Sequence, residues 1–191
     1  MKIGIAAGHS DHPDNDGHRQ YEFNCCETVE HSIALLLKDS AIDVCQPMNG
    51  PGDIYAMPND EALNEKVKYF NAAKVDLAIE LHLDRFPGGV ADHSMAIHWP
   101  GNSDHRGYQA AHQITDQLNN TFPWPTRGAV DTKILGRDLA FLRDTKMPAV
   151  IVEAGFMDNP KHRAVMDTPA FPVLYAVAVF QGIMRWIEIE A

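Results

Sequence analysis

Basic clusters, cysteine frameworks, long apolar runs and repeats are all scarce in this chain. Sixteen Lys and Arg stand against 26 Asp and Glu, for a formal net charge of −10. With no Lys/Arg run to offset it, that balance argues against non-specific binding to nucleic acid or to an anionic membrane surface. Three cysteines, Cys25, Cys26 and Cys45, form no C-x-x-C pair and no evenly spaced framework, so a disulfide scaffold is not expected. They read as free buried thiols, with Cys26 in core packing. No stretch approaches the ~20 apolar residues of a membrane span. The apolar run after Met1 is too short for a signal-peptide core. The expectation is a folded, non-exported domain with no membrane insertion, expected as a monomer.

What is present is ordinary globular composition: 191 residues, 45% apolar and 22% charged, a length that suits one domain with a real core. Lys2–Ala7, Ile42–Cys45, Val75–Leu83, Ser94–Trp99, Leu139–Leu142 and Met147–Glu153 read as strands. Helical spacing is kept by Cys26, Val29, Ile33, Leu36 and Leu37 within Glu22–Lys38, and by Leu63, Val67 and Phe70 in a segment that Asn59 or Asp60 can cap and that runs to Ala73. Ser103 or Asp104 caps a helix running to Asn119, and Asn159–Met166 forms another. A last helix opens at Thr168 and gathers Val173, Val177, Phe180, Met184 and Ile187 on one face. His9–Arg19, Pro47–Asp53 and Thr121–Lys133 read as loops, the last of them placed to shape a substrate groove. Strands that alternate with helices predict one α/β domain over residues 1–191, with a twisted, mostly parallel central sheet and helices on both faces.

Four segments concentrate ligand-type and catalytic-type side chains at element ends: Ala7-Gly8-His9-Ser10, Gln20-Tyr21-Glu22-Phe23, Glu80-Leu81-His82-Leu83-Asp84 and Val150 to Phe156. A His, a Glu and a His so placed make a three-ligand zinc set that keeps one position open. Each residue also has a plainer reading. His9 is a loop histidine directly after a strand, where open α/β sheets place their sites. His82 shares a face with Ala78 and Glu80 by strand alternation, and alone it reads as a satisfied core histidine. Glu80 weakens that reading, because a buried carboxylate needs a partner; it is a candidate to orient His82, or else it is half exposed at a sheet edge. Glu22 falls on the stripe of Cys26, Val29 and Ile33 and so points inward, ahead of its competitors Glu27 and Glu30. Glu153 ends the most apolar strand, and its plain alternative is a salt bridge to Arg137, Arg143 or Lys146.

One long run decides between these readings. Leu142-Arg143-Asp144-Thr145-Lys146-Met147-Pro148-Ala149-Val150-Ile151-Val152-Glu153-Ala154-Gly155-Phe156-Met157-Asp158-Asn159 closely resembles a segment of the zinc-dependent N-acetylmuramoyl-L-alanine amidases, the type 3 amidase family of cell-wall hydrolases. The resemblance extends from Lys2 to the last helix. It implies about six strands and one zinc per chain, held by His9, Glu22 and His82, with Glu153 as the catalytic glutamate. Asp84 is then expected to line the groove and Glu80 to stand behind His82. The family usually has Asp-Pro-Gly-His-Gly where this chain has Ala6-Ala7-Gly8-His9-Ser10, and Ser-Ile-His-Ala-Asn where it has Glu80-Leu81-His82-Leu83-Asp84; neither change removes an implied ligand. The implied reaction is hydrolysis of the amide between the lactyl group of N-acetylmuramic acid and L-alanine in peptidoglycan, by a catalytic domain made in the cytoplasm and acting at the cell wall. Two rivals stand beside it: a zinc peptidase or carboxypeptidase on the same scaffold, disfavoured because no H-x-x-E ligand pair is present, and a non-catalytic wall-binding module.

Overall fold

The computed structural model describes residues 1–11, 17–50, 52–100 and 105–191. Strands β1 (Lys2–Ala7), β2 (Asp43–Cys45), β3 (Leu77–Asp84), β4 (Ser94–His98), β5 (Thr126–Asp131) and β6 (Ala149–Phe156) form one sheet in the order β2-β1-β3-β6-β4-β5. All neighbours run parallel except β4 and β6. The expected α/β architecture, mostly parallel and six-stranded, is the one found.

Alternation splits the strands between two faces. Ile3, Ile5, Leu77, Ile79, Leu81, Val150 and Val152 lie on one face, with α1 (Gly17–Asp39), α3 (Arg106–Thr121) and α7 (Phe171–Glu190) packed over them. Ala6, Ala78, Met95, Ile97, Ala149 and Ile151 lie on the other, covered by α2 (Asn59–Ala73) and by α5 (Ala140–Asp144). Two short α-helices, α4 (Thr132–Leu135) and α6 (Pro160–Met166), follow β5 and β6. Gly4 lets the second face close on Phe70, whose ring stands 3.0 Å from where a Cβ would be.

Several boundaries and elements differ from expectation. Helix α1 begins at Gly17, so His18 and Arg19 are helical rather than loop. The Leu139–Leu142 segment is helical from Ala140; Phe141 and Leu142 are both buried, a pattern α5 satisfies by packing on α2. Thr121–Lys133 is not a groove loop: it contains the edge strand β5, paired to β4 at the far side of the sheet. Its alternation is broken by Gly128, at φ +79°. The α2 N-cap is Pro58, without a side-chain cap, and Asn59 instead accepts a hydrogen bond from Ser10 Oγ at 3.1 Å. Ser103 and Asp104 lie outside the described residues, as do residues 12–16 of the His9–Arg19 loop. The buried stripe of α7 is Phe171, Tyr175, Val179, Gly182, Ile183 and Trp186, one step around from the stripe expected, and Val173 is exposed. By length and composition α7 is also apolar enough to cross a membrane, against expectation; here its buried stripe packs on α1 and α3. Gly182 permits that approach, since a Cβ there would meet the Ile114 backbone at 2.6 Å.

This topology fixes the place of the site. The chain leaves β1 through α1 toward β2 on one side and leaves β3 for the other side of the sheet. The carboxyl ends of β1 and β3 therefore flank a switch point, where open α/β sheets form their crevice.

Candidate metal centre

The turn after β1 is held from every side. Ala7 N donates to Glu30 Oε2 and to Tyr55 Oη, each at 2.9 Å, and Gly8 N donates to Leu81 O at 2.7 Å. His9 follows in the left-handed region at φ 61°, a conformation that costs a non-glycine residue of order 1–3 kcal/mol and persists only where the surroundings impose it. Gly8 is required by close approach: a Cβ there would stand 2.3 Å from the His82 ring.

Glu22 enters from the second turn of α1 and meets both histidines. Its Oε1 lies 2.8 Å from His82 Nδ1 and accepts from Leu83 N at 3.0 Å; its Oε2 lies 3.1 Å from His9 Nε2. One ligand-type atom from each of His9, Glu22 and His82 falls within 4.8 Å of the others, so these three could hold a metal ion. Two nitrogens and a carboxylate oxygen gathered this closely suit a zinc site with an open position. Burial alone would push Glu22 up, but hydrogen bonds to His82 and His9 outweigh it and hold the carboxyl down at about 2. Of Glu22, Glu27 and Glu30, Glu22 is the one whose carboxylate the structure places beside both histidines. Glu30 is buried elsewhere, accepting from Tyr55, Ala7 N and Gln46, and burial pushes it up to about 7.

Glu153 reaches the same cleft from the neighbouring strand, with His82 and Glu153 as partners in the β3–β6 register. It is buried, and its Oε2 has no hydrogen-bond partner among the described residues. Burial is the main influence and pushes it well above the usual carboxylate range, while His82 pulls the other way. Among the described residues no ion pair joins Glu153 to Arg137, Arg143 or Lys146, and Arg143 pairs with Asp138 and Asp144. A cleft of about 300 Å³ opens over His9, Glu22, His82, Asp84, Arg137 and Glu153. Asp84 is half-buried there, and burial raises its carboxyl.

Glu80 is buried rather than at an exposed edge. Its Oε2 lies 3.2 Å from His82 Nε2 and its Oε1 accepts from Lys66 Nζ at 3.0 Å. Lys66 was missed by sequence reasoning, because a helical lysine reads as a solvated one. The available signal was its position: Leu63, Lys66, Val67 and Phe70 keep the spacing of one helical stripe, so Lys66 interrupts an apolar face.

The sequence matches, over residues 3–185, the family model described as N-acetylmuramoyl-L-alanine amidase. The chain belongs to that family. Among curated relatives, the germination-specific N-acetylmuramoyl-L-alanine amidase of Bacillus subtilis is 23% identical over 155 residues, covering 81% of this chain and 62% of the relative. The endolysin of Bacillus phage SPP1 is 29% identical over 128 residues, covering 67% of this chain and 46% of the relative. The chain thus spans less than two thirds of the length of these relatives. Among solved structures, an N-acetylmuramoyl-L-alanine amidase from Clostridium difficile 630 superposes with a TM-score of 0.80 at 19% identity, over 100% of this chain and 98% of that one. An amidase of Nostoc punctiforme also gives 0.80, at 14% identity over 98% and 97%. At such identities the amidase likeness in structure speaks to the fold. The family assignment rests on the sequence match.

Proposed function

We propose that this chain is a zinc-dependent peptidoglycan hydrolase that cleaves the amide between the lactyl group of N-acetylmuramic acid and L-alanine. Family membership supports the reaction class. The observation that carries the assignment of roles is the convergence of His9, Glu22 and His82 next to the buried carboxylate of Glu153, whose Oε2 has no partner among the described residues. His9, Glu22 and His82 would hold one zinc. When bound, zinc supplies a Lewis acid that polarises a carbonyl and makes water a stronger nucleophile near neutral pH.

The chain's own groups do the rest. Glu153 takes the proton of the attacking water and hands it to the leaving amine of L-alanine, the work of a general base turned general acid. Its raised affinity for protons suits the second half of that task. Glu80 accepts from His82 Nε2–H, which leaves Nδ1 to face Glu22 and the metal position. Asp84 lines the groove where the muramyl peptide lies. The sheet carries Glu80, His82, Asp84 and Glu153 between two cores and α1 brings Glu22 to them, so residues 1–191 are read as one catalytic unit acting at the cell wall.

Purified sacculi test this directly. New L-alanine amino termini without new reducing ends, lost on chelation and restored by zinc, are the expected products. New termini elsewhere in the stem peptide would mark a peptidase. Zinc at one per chain without turnover would mark a wall-binding module.

A further inference from the structure

We infer that Lys66 is a positioning residue for the metal site, acting on the backbone of the His9 turn as well as on Glu80; this rests on the zinc reading above. Lys66 is buried, with 1% of its surface exposed. A lysine ammonium has three N–H donors, and here each has an acceptor. Nζ lies 2.7 Å from Ala7 O, 2.8 Å from His9 O and 3.0 Å from Glu80 Oε1.

A plain counter-ion for Glu80 would need only the last contact. The other two clamp the carbonyls on either side of Gly8, so they pin the residue that allows close approach to His82 and the strained residue that carries a ligand nitrogen. Glu80 meanwhile bonds to His82. One ammonium on α2 therefore reaches both histidines, His9 through its own carbonyl and His82 through Glu80. A buried ion pair is weak evidence for stability in itself, since desolvation offsets the attraction. The carbonyl contacts give this one a reason to exist.

The two roles separate in a double-mutant cycle read out as zinc affinity, by competition with a chromophoric chelator. Lys66→Met keeps the apolar stem and removes the donors; Glu80→Gln keeps the shape and removes the charge. The double variant K66M/E80Q removes both charges of the pair, so it folds where K66M alone strands Glu80. The expected result is that K66M weakens zinc binding a further tenfold or more in the E80Q background, within the roughly 10- to 100-fold range for supports of a metal ligand. Thermal unfolding of the zinc-free double variant should stay close to that of E80Q. No further loss of zinc affinity beyond E80Q would make Lys66 a counter-ion alone and overturn the inference. A double variant that cannot fold would also overturn it, since Lys66 would then serve the fold at large. Wild-type protein that binds no zinc would sink the zinc reading, whereas tight wild-type binding with a flat cycle would sink only the role of Lys66.

Discussion

Glu22 and Glu153 line the same cleft and are buried to nearly the same degree, at 4% and 7% exposure, yet they stand in opposite electrostatic states. Two imidazoles and the Leu83 amide surround Glu22, and its carboxyl is held at about 2 despite burial. Glu153 has one oxygen without a partner among the described residues, and burial outweighs the pull of His82, so its carboxyl is raised. Burial therefore does not assign the role; the placement of donors does. A carboxylate encircled by donors stays charged and is fit to hold a cation, while one left short of them is fit to pick up and release a proton.

Substitution can break this contrast. Glu22→Gln should lose zinc and turnover together, because it removes a charged ligand; metal content and sacculus digestion check both, and full zinc occupancy in that variant would refute the ligand role. Glu153→Gln should keep one zinc per chain and lose on the order of 10²–10⁴ in turnover. If it loses metal while specific activity per bound zinc is unchanged, Glu153 is structural. Gly8→Ala should displace the His82 ring and weaken zinc binding about 10- to 100-fold, as for loss of ligand support. Wild-type affinity there would show that the ring is free to move.

The smallest effect concerns stability in the zinc-free protein. Because the folded state raises the pKa of Glu153, it binds that proton more tightly than the unfolded chain does. The stability slope with pH is then negative from the unfolded value, about 4.5, up through the folded one. Glu153→Gln removes this loss, so zinc-free E153Q should become more stable relative to wild type as pH rises from 4 to about 7. For Glu22 the sign reverses: its contribution is present above 4.5 and fades as pH falls toward about 2. Denaturant melts across that range would show a constant difference between E153Q and wild type if Glu153 had an ordinary affinity for protons.

Periodicity made much of this legible. The alternation of β3 placed Glu80 and His82 on a shared face, the apolar run of β6 put Glu153 at a strand end, and the stripe of α1 turned Glu22 inward. Misreadings came where tertiary context overrode local pattern. Leu139–Leu142 has too few residues to separate strand from helix, and the demand to bury Phe141 against Phe70 settled it as helix. β5 was hidden by Pro123, Pro125 and Gly128, residues that an edge strand tolerates. Lys66 was passed over because its three acceptors come from two strands and a turn, and the spacing of α2 shows only that it interrupts an apolar stripe.

Helix α7 has a consequence for how the chain reaches its native state. Its buried face meets α1, whose residues lie well over a hundred positions earlier, and α3. Contacts so distant in sequence form late, after the entropy of closing a long loop has been overcome. Until they form, a twenty-residue segment apolar enough for a bilayer stays without its partners. Folding intermediates of this chain should therefore present α7 as their stickiest surface, the segment on which aggregation or capture by a chaperone begins.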